Sequence, residues 1–144
     1  MELNKNKLEY WDSILSRISN YEEGTDAIVP DTYPDIGRIV CARGMLSVKD
    51  AAPQKDRMLI SGTVKAAVLY LPEGESEIRR LDIPLTFAHI EECRGIHEDT
   101  CCFARCMLAG VEAVAVNSRK ISVTARMVFD ISAYQQTSVL LTES

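Results

Sequence analysis

Glycine is sparse in this chain: seven residues in 144, each standing alone. No paired glycine spacing exists to cradle a phosphate. Histidine is scarcer, with only His89 and His97. No G-x-S-x-G or comparable motif accompanies them, which argues against Ser–His–Asp or Cys–His catalysis. No apolar run approaches the ~20 residues of a membrane-crossing helix. The N-terminus, Met1-Glu2-Leu3-Asn4-Lys5-Asn6-Lys7, lacks the apolar segment of a secretory signal, so cytoplasmic synthesis without membrane insertion is expected. Neither part of the chain carries a basic excess, and no nucleic-acid partner is expected. The five cysteines are an odd number, which argues against a closed secreted disulfide framework. Internal repeats, low-complexity tracts and interdomain linkers are absent as well.

What is present suits one globular domain. Hydrophobic residues make up 47% and charged residues 26% of 144 positions, enough for a core without metal or disulfide staples. Residues 1–35 hold three basic and eight acidic side chains, which is the whole net charge of −5. That acidic stretch reads as a solvated surface or as a docking site for a basic partner. Leu8, Trp11, Leu15 and Ile18 recur at spacings of three and four, with Ile14 widening the stripe. This predicts an amphipathic helix over 5–19, within an N-terminal helix or arm spanning 1–22.

From residue 25 the period changes to two. Over 120–133, Ile121, Val123, Ala125, Met127, Phe129, Ile131 and Ala133 alternate with a mainly polar set, which predicts antiparallel sheet with one face on a core. Residues 57–71 alternate less tidily. Pro72-Glu73-Gly74-Glu75 supplies a turn into a strand over about 76–90, where Pro84 points to a sheet edge or a bulge. Another strand over 101–116, with a bulge near Gly110, should form a hairpin with 120–133. The fold class expected is all-β: an antiparallel sandwich of six or seven strands over 23–136, with a flexible tail at 137–144.

Pro30-Asp31 and Pro34-Asp35 form a rigid, acidic corner, because each proline fixes φ and each aspartate can accept backbone hydrogen bonds in the turn after it. The motif Val29-Pro30-Asp31-x-x-Pro34-Asp35-Ile36-x-x-Ile39 resembles the start of the SPOCS domain of sporulation proteins, the SipL-like family. Further pieces follow in order: Ile60-Ser61-Gly62-Thr63-Val64 with Val68-Leu69-Tyr70, Ile83-Pro84-Leu85-Thr86-Phe87, and Val116-Asn117-Ser118-Arg119-Lys120-Ile121-Ser122-Val123. The resemblance covers residues 23–134. It implies a structural or interaction module of endospore coat assembly, made in the mother cell and delivered to the forespore surface. Partners would be other spore-envelope proteins and the chain itself. SipL-like proteins commonly carry a LysM domain; none occurs in this sequence, so peptidoglycan binding is not carried over. The chain is then a single-domain relative or one module of a longer protein.

Two constellations invite sharper readings. Cys93, His97, Cys101, Cys102 and Cys106 fall within fourteen residues and supply zinc-ligand chemistry, but without C-x2-C pairs. Cys102 and Cys106 would share a strand face with Ala104 and Leu108, as buried thiols do. A disulfide from Cys93 to Cys101 or Cys102 is compatible with the spacing but not required by it. A metal-binding domain is thus the lesser alternative, and no cofactor, metal or catalytic residue is expected. Arg119-Lys120 either guards a hairpin edge or meets an acidic partner. Function is expected on surfaces, with Trp11, Pro30, Asp31, Pro34, Asp35, Arg119 and Lys120 as interaction candidates. A self-assembling subunit, joined through edge strands or arm exchange, is the second reading.

Overall fold

The computed structural model describes the backbone of residues 4–143 and the side chains of residues 10–136. Six strands follow in chain order: β1 Asn4–Ile28, β2 Ile36–Gln54, β3 Arg57–Pro72, β4 Arg79–Glu92, β5 Cys101–Asn117 and β6 Lys120–Glu143. They form two three-stranded antiparallel sheets, ordered β1-β6-β5 and β2-β3-β4. The all-β expectation and the alternation that led to it hold. The number of strands is six, and the described residues contain no helix.

The centre of each sheet supplies the core. Along β6 the seven alternate residues from Ile121 to Ala133, all apolar, are each at most 1% exposed. Along β3, Met58, Ile60, Val64, Val68 and Tyr70 are buried in the same way, and β4 adds Leu81, Ile83, Leu85 and Phe87. Residues of both sheets belong to one apolar cluster, so the inner faces pack on each other. Burying one such side chain is worth about 1.5–3 kcal/mol, and these two rows dominate the gain from folding.

The helix expected over 5–19 is not there. Residues 4–28 are β1, paired with β6 from Asn4↔Glu143 to Ile28↔Lys120 and running unbroken across residues 22 and 23. An irregularity between Ser13 and Leu15 inserts Ile14 as an extra residue and reverses the phase of the strand. Leu15 therefore faces the core, while Trp11 and Ile18 face out, 60% and 70% exposed. A period-two strand carrying a bulge mimicked a period-3.6 stripe. The isolated helix would be marginal in water, whereas the free edge of β6 pairs every backbone group facing it. The Leu8 side chain lies outside the described residues, as does Ser144 of the expected tail; the backbone of 137–143 continues β6.

Other local expectations hold. β5 and β6 form a hairpin through Ser118-Arg119, and the β5 register slips between Leu108 and Gly110. Pro84 lies on β4, an edge strand, opposite Lys65. Strand β2 carries three register irregularities, which bend it around the core. It closes on β5 at Gly44, where an added Cβ would sit 2.8 Å from Val111 Cγ2 and 3.0 Å from Leu108 Cδ2.

Candidate functional site

The proline corner is clamped by one arginine. Its backbone carbonyls point inward with few partners of their own kind, because two of the residues between Val29 and Ile36 are prolines lacking N–H groups. The β5–β6 turn lies across it: Val29 N–H donates to the Arg119 carbonyl at 2.8 Å and Ile36 N–H to the Ser118 carbonyl at 2.9 Å. The Arg119 guanidinium, whose planar fork carries five donors, then spans the corner. Nη1 donates to Tyr33 O (2.7 Å) and Asp35 Oδ1 (3.1 Å), and Nη2 to Val29 O (3.1 Å) and Pro30 O (2.8 Å). Asn117 Oδ1 accepts from the Arg119 N–H at 2.8 Å and fixes the turn. From below, the buried Tyr70 donates its hydroxyl to Pro34 O at 2.9 Å; burial pushes this phenol above its ordinary pKa.

The structure thus brings together Pro30, Pro34, Asp35 and Arg119, with Asp31 exposed on the same turn. Lys120 follows, 3.4 Å from Asp26 across the β1–β6 pair. Trp11 is not part of this group. It lies on the outer face of the β1-β6-β5 sheet, beside Cys101, Phe103 and Tyr134 around a shallow hollow. Phe103 and Tyr134 meet edge to face at 6.0 Å. Ile18, Met107, Val114 and Val116 are exposed on the same sheet, each 46–70%. Aromatic anchors and methionine on an open sheet face are the composition of protein-contact surfaces.

A polar network absent from the sequence reading joins β1 to β4. Glu91 accepts from Ser19 Oγ at 3.1 Å and lies 2.7 Å from His89 Nε2 through the same carboxylate oxygen. Arg17 stands 3.5 Å from the other oxygen and also donates to the Glu92 carbonyl. Burial alone would raise the Glu91 pKa. The hydrogen bonds from His89 and Ser19, with the charges of His89 and Arg17, outweigh it and hold the carboxyl below its ordinary value. The His89 ring stacks on Phe129 at 5.3 Å and meets Tyr21 at a tilt, 4.7 Å away, the three rings forming a triangle. Tyr21 donates to Glu23 Oε2 at 2.7 Å; that bond, with burial and the carboxylate charge, pushes its phenol up to about 12. Ser19 and His89 thus converge on one oxygen of the Glu91 carboxylate.

The cysteine-rich segment is folded into the framework. Cys93 and Ile96 are buried, and Asp56, at φ 57° in the β2–β3 turn, holds their loop through its carboxylate, N–H and carbonyl. His97 Nδ1 accepts from Asp99 N–H, closing a local turn. Cys102 and Cys106 share the inward face with Ala104 and Leu108, as the alternation implied. All five cysteines are free thiols, and burial pushes Cys93, Cys102 and Cys106 up in pKa, away from the reactive thiolate. Among the described residues no three His, Cys, Asp or Glu side chains converge as metal ligands. Among the same residues, no helix is long and apolar enough to cross a membrane.

Comparison with curated proteins and with solved structures finds no match. Among protein families, the SPOCS domain of SipL matches residues 35–116, from the last residue of the corner through β5. That stretch is more than half of the chain, and the chain belongs to this family.

Proposed function

We propose that this SPOCS-family chain is a non-enzymatic structural module of endospore-envelope assembly, a β-sandwich acting through its outer surfaces on other envelope proteins. Family membership supplies the sporulation context. The observation that carries the contact role is the exposed pair Trp11 and Phe103, with the half-buried Tyr134 beside them, on the β1-β6-β5 face. In this reading the protein is made in the mother cell and recruited to the forespore surface and coat. Cofactor, metal, nucleic acid and membrane insertion play no part. A fluorescent fusion in sporulating cells tests it: the wild type gathers at the forespore surface, and a Trp11→Ser/Phe103→Ser variant that folds normally stays in the mother-cell cytoplasm. Wild-type protein that never leaves that cytoplasm contradicts the proposal.

A second reading, a subunit that assembles with itself, is favoured by the sheet edges. β2 and β5 close on each other, but β1 and β4, 25 and 14 residues long, are edge strands joined to each other by side chains and not by a strand ladder. Edges of this length invite pairing between chains unless something covers them. Light scattering over a concentration series separates the two: a single small species supports the adaptor, and growth with concentration supports assembly.

A further inference from the structure

We propose that the outer face of the β2-β3-β4 sheet is a docking trough for the acidic β3–β4 tip of a second copy of this chain. The proposal rests on the self-assembly reading above and specifies its contact. The trough is a depression of about 650 Å³. It arises because Ala67, in the middle strand, is small, whereas Arg43 and Met45 on one side and Arg80 and Pro84 on the other stand tall. Its floor is apolar, and three cations, Arg43, Lys65 and Arg80, project around it. Arg80 is engaged by Asp82 at 2.9 Å, but no carboxylate among the described residues pairs with Arg43 or Lys65. A local excess of positive charge over apolar floor, in a chain of net charge −5, selects an acidic segment with an apolar member.

The chain carries such a segment. Between β3 and β4 run Glu73-Gly74-Glu75-Ser76-Glu77-Ile78, every residue exposed, with Gly74 at φ 76° turning the tip outward. Glu73 and Glu77 match the two cations left over, Arg43 and Lys65, and Ile78, 54% exposed, matches the apolar floor. Within the tip's own surroundings only Glu75 is paired, with Arg79 at a loose 3.9 Å. Arg80, at the near end of the trough, lies two positions beyond Ile78, but Pro84 lies six positions beyond it along the extended β4, about 20 Å at 3.3 Å per residue, so the far part of the trough is left to a second copy. Tip and trough are different patches, so the contact is head to tail and propagates as an open chain unless its rotation closes a ring.

The test is charge reversal with rescue, read by sedimentation velocity on the full-length chain over a range of concentration and salt. The wild type should assemble, and less so at high ionic strength. Arg43→Glu/Lys65→Glu, which reverses the trough, and Glu73→Lys/Glu77→Lys, which reverses the tip, should each weaken assembly by about tenfold or more while keeping the wild-type circular dichroism. An equimolar mixture of the two variants should regain assembly, because each then meets its complement. Wild-type protein that stays monomeric throughout overturns the self-assembly reading and this contact with it. Assembly that survives in both variants, or variants that fail to rescue each other, overturns the contact alone and leaves the edge strands as the route.

Discussion

The two lateral seams of this fold are closed by opposite physics. Where β2 meets β5 the contact is dry: Gly44 is flush with Val111 and Leu108, and the fit depends on the absence of a side chain. Where β1 meets β4 it is polar: Arg17, Ser19, Glu91 and His89 span the gap, backed by Tyr21 and Phe129. A dry seam answers to volume and is indifferent to pH. A polar seam answers to protonation and salt, and its Arg17–Glu91 pair contributes little, because Arg17 is 41% exposed and screened by solvent. Two seams of such different strength imply that the fold opens along β1 and β4 before it opens along β2 and β5.

Experiments can break that comparison, beginning with the dry seam. Gly44→Val forces two methyl groups into Val111 and Leu108 and should remove about 3 kcal/mol, read by denaturant unfolding. Next comes Arg119→Ala, which removes four hydrogen bonds from the corner, Pro30 O alone keeping another from Tyr33 N–H, and should lose about 2 kcal/mol; Arg119→Lys should not restore it, since an ammonium cannot span the same fork. At the polar seam Arg17→Ala should lose about 1 kcal/mol or less, and the loss should shrink in high salt. The sign of the pH effect follows from Glu91. Its folded pKa lies below the ordinary value, so its contribution is present above the ordinary glutamate range and fades as pH falls through the folded pKa. Glu91→Gln should therefore flatten the acid limb of a stability–pH curve, and an unchanged limb would refute the assignment. The last effect is confined to alkaline pH. Tyr21 titrates near 12 when folded and near 10 when unfolded, so its stabilisation is full below 10 and lost between the two. Tyr21→Phe should delete the last phase of an ultraviolet phenolate titration.

How much of this was legible in the chain depended on the seams too. β6 was readable because no bulge interrupts 120–133 and its core face is apolar throughout. β1 was not: the extra residue at Ile14 shifts its phase, and its positions Arg17 and Ser19 are polar because they meet Glu91 across the polar seam. The prolines announced a rigid corner, but its clamp was hidden, since Arg119 reaches mostly backbone carbonyls, which leave no signal in residue types. The trough residues Arg43, Lys65 and Arg80 come from three strands, and only the register sets them side by side. The family match runs from 35 to 116 and so takes in the whole β2-β3-β4 sheet, while β1 and β6 lie outside it.

In the proposed reading the outer faces serve function while the corner and seams serve the fold. Its most direct measurement is forespore recruitment and thermal midpoint, taken together for Arg119→Ala and for Trp11→Ser/Phe103→Ser. The account predicts opposite outcomes: Arg119→Ala melts earlier yet is recruited at a temperature where it remains folded, and the double variant melts like the wild type but is not recruited. A folded Arg119→Ala that loses recruitment, beside a double variant that keeps it, would contradict the account.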